Sequence, residues 1–355
     1  MDAMSQPRMK HTLRLAATLI ALGITTSAQA IYTFDGFTPQ VIQSGHELPN
    51  TAIHVDAGGL FSSAFQGVTD EDIVAPEFAL SLPAGSGVRY ARLNISWWGG
   101  SADYTTTLDA TLNGQPLTPS PLAFGSTADA NPTYAPNATS VYGAGAGMWL
   151  TCFDVTDNVA LGQANQVELD LPNFDTEDFD GRCYHWEIIA VYDTPTDHLL
   201  SYEIAEGYGS LRRTVPSLTT RTIDFSGFDL PEPFDAELWL AYTHGSEEQL
   251  DWARLNGTQI GGTNDLADSS EESAFFNPFV YGRKSYFDFE QIDIADLLDP
   301  TRNELGIHTS ATDGEFILNI ASVVLAAHSL PVIPEPCTLA LGCFGLAGLL
   351  ARRRR

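Results

Sequence analysis

The densest run of side chains that could hold a metal is Asn173-Phe174-Asp175-Thr176-Glu177-Asp178-Phe179-Asp180-Gly181. The carboxylates of Asp175, Asp178 and Asp180 are hard oxygen ligands, and the closing Asp-Gly supplies a sharp turn, a combination that Ca2+ coordination uses. The spacing is not that of an EF-hand, because no Glu follows at the distance that closes such a loop. A solvated acidic loop between two strands is the alternative. Ca2+ is the only cofactor the sequence raises.

Sugar binding is the second chemistry available. Trp97, Trp98, Trp149, Trp186, Trp239 and Trp252 could stack on pyranose rings if exposed, but alternating strands send about half of such aromatics into a core. Of the adjacent pair Trp97 and Trp98, one should point outward. Signatures of catalysis are absent: there is no Gly-x-Ser-x-Gly elbow, no His-Glu-x-x-His and no phosphate-cradling glycine loop. The eight histidines show no metal-ligand spacing. Carboxylates are numerous enough to supply the pair that a glycosidase needs, so a polysaccharide-acting hydrolase is a third reading behind a non-enzymatic role and a lectin.

Only two of the four cysteines, Cys152 and Cys183, lie between the chain ends. Strict alternation puts each on the same relative face of its strand, opposite Trp149, Thr151 and Phe153 in one case and Tyr184, Trp186 and Ile188 in the other. A disulfide between them suits an oxidising compartment, and closing a loop of about 30 residues would contribute roughly 3 to 4 kcal/mol. Two separate thiols are the alternative. No nucleophile signature surrounds either cysteine.

The elements that would carry these residues are strands. Period-2 alternation marks residues 88–97, 148–155, 166–171, 184–192, 236–242 and 316–325, with Gly, Pro, Asn and Asp between them. Helical signals are confined to a turn or two at 158–163 and 292–298. The pattern also repeats. Ala91-Arg-Leu-Asn-Ile-Ser-Trp answers to Ala236-Glu-Leu-Trp-Leu-Ala-Tyr, and Ala110-Thr-Leu-Asn-Gly to Ala253-Arg-Leu-Asn-Gly. Phe153-Asp-Val and Asn165-Gln-Val-Glu-Leu answer to Phe287-Asp-Phe and Asn303-Glu-Leu. Lastly the strand from Trp186 answers to the one from Ile317. Asn113-Gly114 and Asn256-Gly257 supply the positive φ of a two-residue hairpin. The expected fold is all-β: two tandem antiparallel β-sandwiches, jelly-roll-like. The first covers residues 31–200 with an N-terminal extension adding strands to it, and the second covers 201–330 after a bridging segment. This layout is similar to an uncharacterised family of tandem β-sandwich domains on archaeal and bacterial surface proteins, which implies fold and location and transfers no catalytic residue.

The chain ends read as address labels. Arg8, Lys10 and Arg14 precede an apolar stretch at 15–24 and the small-residue site Ala28-Gln29-Ala30, so a signal peptide over 1–30 is expected, cleaved after Ala30. Residues 31–330 hold ten of the 17 Lys and Arg and 43 of the 45 Asp and Glu. That acidity repels nucleic acid and anionic lipid, excluding both as partners, while the Val, Ile, Leu, Phe, Tyr and Trp content argues for a packed core.

At the other end stand Pro334-Glu335-Pro336, a 15-residue apolar run at 337–351, and Arg352, Arg353, Arg354 and Arg355. As a helix the run is about 22 Å long, short of the roughly 30 Å hydrocarbon core, which suits transient anchoring. The arginines keep to the cytoplasmic side. A permanent C-terminal anchor is the alternative. Together these three parts resemble the PEP-CTERM sorting signal of Gram-negative bacteria. The resemblance implies recognition by the membrane protease-transpeptidase exosortase, cleavage near Pro-Glu-Pro, and delivery to the outer surface or extracellular matrix of an exopolysaccharide producer. The resulting expectation is an exported, non-enzymatic structural or adhesive protein, with exosortase as a processing partner and exopolysaccharide as a possible one.

Overall fold

The computed structural model describes residues 35–59, 77–99, 106–124, 133–145, 147–170, 182–196, 198–212, 215–231, 234–243, 251–261, 287–309 and 317–329. The proposed signal peptide and its Ala28 and Ala30, the sorting tail, the short C-terminal helix, and Asp175, Asp178 and Asp180 lie outside these residues. The described strands, numbered along the chain, form four antiparallel sheets. One has the order β2 (Thr51–Gly59), β11 (Arg182–Asp193), β4 (Gly87–Trp98), β9 (Met148–Asp154), β8 (Ser140–Ala144). It packs on β3 (Glu77–Ser81), β10 (Ala164–Asp170), β5 (Thr106–Leu112), β6 (Gln115–Pro116), with β7 (Leu122–Phe124) paired to β5. The third has the order β1 (Gly36–Pro49), β12 (Leu199–Arg212), β19 (Ile317–Ser329), β14 (Phe234–Thr243), β17 (Phe287–Asp293). It packs on β13 (Thr220–Ser226), β18 (Arg302–Thr309), β15 (Asp251–Leu255), β16 (Thr258–Ile260). Among the described residues no helix is long and apolar enough to cross a membrane.

The chain is therefore all-β, and each sheet's sequence pattern reflects its place. In the outer sheets residues alternate strictly: β10 is exposed at Gln166, Glu168 and Asp170 and buried at Asn165, Val167 and Leu169, as a sheet with one wet face requires. The inner strands β4 and β12 are buried almost throughout, because the two inner sheets also pack on each other. Four apolar clusters result. One fills the first sandwich around Leu93, Ile95, Trp97, Trp149 and Ile188, and one fills the second around Leu238, Leu240, Leu255, Leu305 and Leu325. Two more line the seam between the inner sheets, around Ile189, Ile204, Trp239 and Val324 and around Tyr142, Leu150, Tyr208 and Phe287.

Three expectations change. The N-terminal extension does not add only to the first sandwich: β1 pairs with β12, so the first described strand lies in the third sheet and β2 then enters the first. The strand from Trp186 does answer to that from Ile317, at another register. Ala190 pairs with Ala91 and Ala327 with Ala236, so Ala190 is equivalent to Ala327 and not to Ala321, six residues away.

The disulfide is also corrected: Cys152 and Cys183 are free, buried thiols. β4 runs between their strands, with Cys152 opposite Asn94 and Cys183 opposite Trp97. Their strands are therefore two spacings, about 9.5 Å, apart, the two residues are also offset by three positions along β4, and they lie on opposite faces. A register shift between Cys183 and His185 breaks the alternation that had put both thiols on one side; a bulge of this kind sends the residues before it to the other face.

Both halves use the same local device. Asn113 and Gly114 (φ 53° and 71°), and Asn256 and Gly257 (φ 51° and 82°), close hairpins between β5 and β6 and between β15 and β16. The Asn113 amide donates to Asn165 Oδ1 at 2.9 Å and the Asn256 amide to Asn303 Oδ1 at 2.9 Å. Asn165 also accepts from Ala160 N (2.6 Å) and donates to Ala160 O (2.9 Å), and Asn303 does the same with Asp299 N (2.8 Å) and Asp299 O (3.0 Å). Each fully buried asparagine thus stitches a turn to a hairpin. Replacing either one by alanine leaves several backbone groups unsatisfied, and N165A and N303A should each lower unfolding free energy by about 2 to 3 kcal/mol, read from urea denaturation midpoints. A loss confined to one of the two would break the equivalence.

Candidate functional site

The side chains best equipped for chemistry converge on the seam. On β4, residues 92, 94, 96 and 98 face the second sandwich, and on β12 residues 204, 206 and 208 face back. Arg92, which is 0% exposed, donates from Nε to Glu206 Oε2 at 2.6 Å and from Nη2 to Oε1 at 2.8 Å, while Glu206 is 1% exposed. Arg92 Nη1 also donates to the Ala138 carbonyl at 2.5 Å, and Tyr142 Oη donates to Glu206 Oε1 at 2.8 Å. Burial works against the Arg92 charge, but the carboxylate beside it outweighs burial and holds the guanidinium pKa above its ordinary value. Burial, and then the Glu206 charge, push Tyr142 upward, so its phenol stays a donor.

Alongside, Glu187 of β11 accepts from Ser322 Oγ of β19 at 2.6 Å and from Asn94 Nδ2 at 2.8 Å. Its carboxyl is pushed up to about 7, from an ordinary 4.5, chiefly by burial. The bonds from Ser322 and Asn94 oppose that rise and the Glu206 charge adds to it. Further along, Ser96 Oγ and His185 Nδ1 lie 2.5 Å apart, the imidazole stacks on Phe287 with centroids 4.6 Å apart, and Tyr208 Oη meets Thr243 Oγ1 at 2.7 Å.

A serine bonded to a histidine invites comparison with a nucleophile and its base. Here burial depresses His185 to about 3, so the ring is a neutral partner and too weak a base to take a serine proton near neutral pH. Glu187 titrates in a useful range, but its oxygens are taken by Ser322 and Asn94. The arrangement is a polar joint, with each group bonded to the opposite sandwich or to a neighbour that is.

The sequence candidates scatter around this joint. Trp97 and Trp149 are wholly buried in the first core, and Trp239 is buried in the seam. Trp98 is half-buried at the seam's rim, and Trp186 is half-buried and stacked on Phe78 at 5.5 Å. Trp252 lies half-buried on the outer face of the outermost sheet. Cys152 faces the seam and Cys183 the first core. Among the described residues no group of three or more His, Cys, Asp or Glu is placed to hold a metal. Sequence reasoning missed Arg92, Glu187, Ser96, His185 and Glu206. A signal was present, in charged residues placed in the middle of otherwise apolar strands, such as Arg92 in Tyr-Ala-Arg-Leu-Asn-Ile-Ser.

Comparison with known proteins bears on the whole of this architecture. The profile of the family described as "Protein of unknown function (DUF3344)" matches residues 45–327, from within β1 nearly to the end of β19. The chain belongs to the DUF3344 family. No curated protein matches this DUF3344 chain. Among solved structures, BuGH86 in complex with neoagarooctaose is similar at 9% identity and a TM-score of 0.24 over 85% of this chain, which spans 35% of that one. PNGase F, a glycosylasparaginase from Flavobacterium meningosepticum, gives 11% identity and 0.26 over 78% of this chain and 96% of its own. PNGF-II gives 10% and 0.27 over 76% and 64%. Such scores carry no functional argument for the DUF3344 chain.

Two expectations follow from the joint. R92L leaves Glu206 buried without its partner and should destabilise the protein by about 3 to 5 kcal/mol, whereas R92L/E206L removes both charges and should lose clearly less; urea midpoints of the two variants decide it, and a double variant as unstable as R92L or worse would count against the pairing. Glu187 titrates higher folded than unfolded, so its contribution is fully present below about pH 4.5 and is lost as pH rises through about 7. E187Q should therefore gain on the wild type by an amount on the order of 3 kcal/mol between pH 4.5 and pH 8, and parallel stability curves over that interval would contradict the assignment.

Proposed function

We propose that this chain is an exported structural or adhesive module, sorted to the outer surface or extracellular matrix through an exosortase and without enzymatic activity of its own. The observation that carries the reading is the polar seam. The buried groups with chemical potential, Arg92, Glu187, Glu206, Ser96 and His185, bond across or along the contact of the two inner sheets, which suits a load-bearing unit of four layers better than a site that must admit substrate. The two ends supply the route. A basic, apolar and small-residue leader precedes Ile31, and Pro334-Glu335-Pro336, the apolar run and Arg352 to Arg355 follow the last strand. In this reading the tail anchors the chain transiently in the inner membrane until cleavage. Ca2+ held by Asp175, Asp178 and Asp180 belongs to the same proposal as an optional stabiliser.

The test is fractionation of cells with and without exosortase, with mass spectrometry of the C-terminus. With the enzyme, the protein should appear at the surface or in the matrix lacking Arg352 to Arg355. Without it, the uncut chain should collect in the inner membrane. Cytosolic protein that keeps all four arginines would defeat the proposal.

A further inference from the structure

The outer face of the β13–β18–β15–β16 sheet carries a feature that the sandwich does not need. In the ladders Trp252 lies opposite His308, and His308 lies opposite Thr220. The indole and imidazole stack at 5.5 Å with 12° between their planes. Thr220 Oγ1 holds His308 Nδ1 at 2.9 Å. Gly306, next on the same face, makes room for the ring, since a Cβ there would stand 2.8 Å from His308 Nε2. The imidazole is thus held by an indole, a hydroxyl and a bare stretch of backbone, and the stacked pair forms a half-exposed aromatic plate two rings thick, each ring covering one face of the other. The core is filled from the other face of these strands, by Ala253, Leu255, Leu305 and Ile307.

The equivalent place on the first sandwich shows that the plate is not a requirement of the fold. Counting from the paired asparagines, Trp252 and His308 correspond to Asp109 and Asp170, which face each other in the β5–β10 ladder. The buried Asn165 and Asn303 and the hairpins are kept in both halves, while this surface pair differs completely. Beside the plate Arg254 is exposed, directly opposite Gly306, and no carboxylate of the described residues is paired with it.

We propose that this plate and Arg254 form a binding face for an uncharged hexopyranose polysaccharide. The C–H face of a pyranose is apolar and flat and packs on an aromatic plane, while its hydroxyls accept hydrogen bonds from a guanidinium. Charge decides between classes of occupant: a chain of formal charge −28 repels polyanions, and Arg254 repels cations at the plate itself. Partial burial, and then the Arg254 charge, hold His308 below its ordinary range, so the imidazole is neutral near pH 7 and does not recruit anions. The proposal names the ligand class for the adhesive reading above and rests on that reading only for the place where the two would meet.

The experiment is native affinity electrophoresis of the purified full chain through gels containing hydroxyethylcellulose, galactomannan or dextran, with polygalacturonate as the anionic arm. At least one neutral polymer should retard the wild type. W252A should weaken that retardation by about tenfold or more, and R254Q, at an exposed position, should weaken it several-fold without altering the melting curve. D109A, on the equivalent face, should migrate as the wild type does. Free migration of the wild type through all three neutral gels, retardation by polygalacturonate alone, or equal retardation of wild type, W252A and R254Q would each overturn the proposal. None of these results bears on where the cell sends the protein, so the sorting experiment and this one fail independently.

Discussion

The described strands are arranged around a guanidinium and a carboxylate that meet buried between two sheets. Arg92 projects from the centre of one inner sheet and Glu206 from the facing sheet. Neither can be buried unless the other is present, because an isolated charge in such surroundings costs several kcal/mol. The Ala138 carbonyl and the Tyr142 hydroxyl complete the set. This pair ties the first sandwich to the second and fixes the register at which the two inner sheets meet, since apolar contacts alone are indifferent to sliding.

The rest of the seam follows the same logic in weaker form. Glu187, Ser322 and Asn94 form a second cross-link, and Phe287 stacks on His185 from the other side. Apolar residues fill the spaces between, Ile189 and Val324 at one end and Leu150 and Tyr208 at the other. β1 adds a covalent tie: the chain contributes an edge strand to the second sandwich before it builds the first. Two sandwiches that could have been beads on a string are therefore a single four-layer body, and the faces left to solvent are those of the two outer sheets. The half-exposed Trp252 and His308 stand on one of these.

Much of the fold was legible from local pattern. The strands at 88–97, 148–155, 166–171 and 236–242 appear within a few residues of their expected bounds, because period-2 alternation and turn residues are short-range signals. The Asn-Gly hairpins form at both places for the same reason. What failed was parity across an irregularity. A single register shift next to Cys183 reverses the face of every residue before it, and nothing in the identity of Cys183, Tyr184 or His185 announces it. The candidate site was less legible still. Arg92, Glu187 and Glu206 are scattered over more than a hundred positions, and their meaning lies in which sheet faces which.

By itself, the sequence determined the all-β class, the Asn-Gly hairpin in each half and the acidity of the region between the ends, since all of these rest on neighbouring residues and on composition. Only the tertiary structure decided that the two inner sheets bury both faces, that Cys152 and Cys183 face opposite sides of their sheet, and that Trp252 stands outside while Trp97 and Trp149 lie within. The reason is that a strand's alternation specifies two faces but not what covers each of them. That choice is made by partners distant in sequence, through the burial of apolar area and the pairing of the few charges that burial would otherwise forbid.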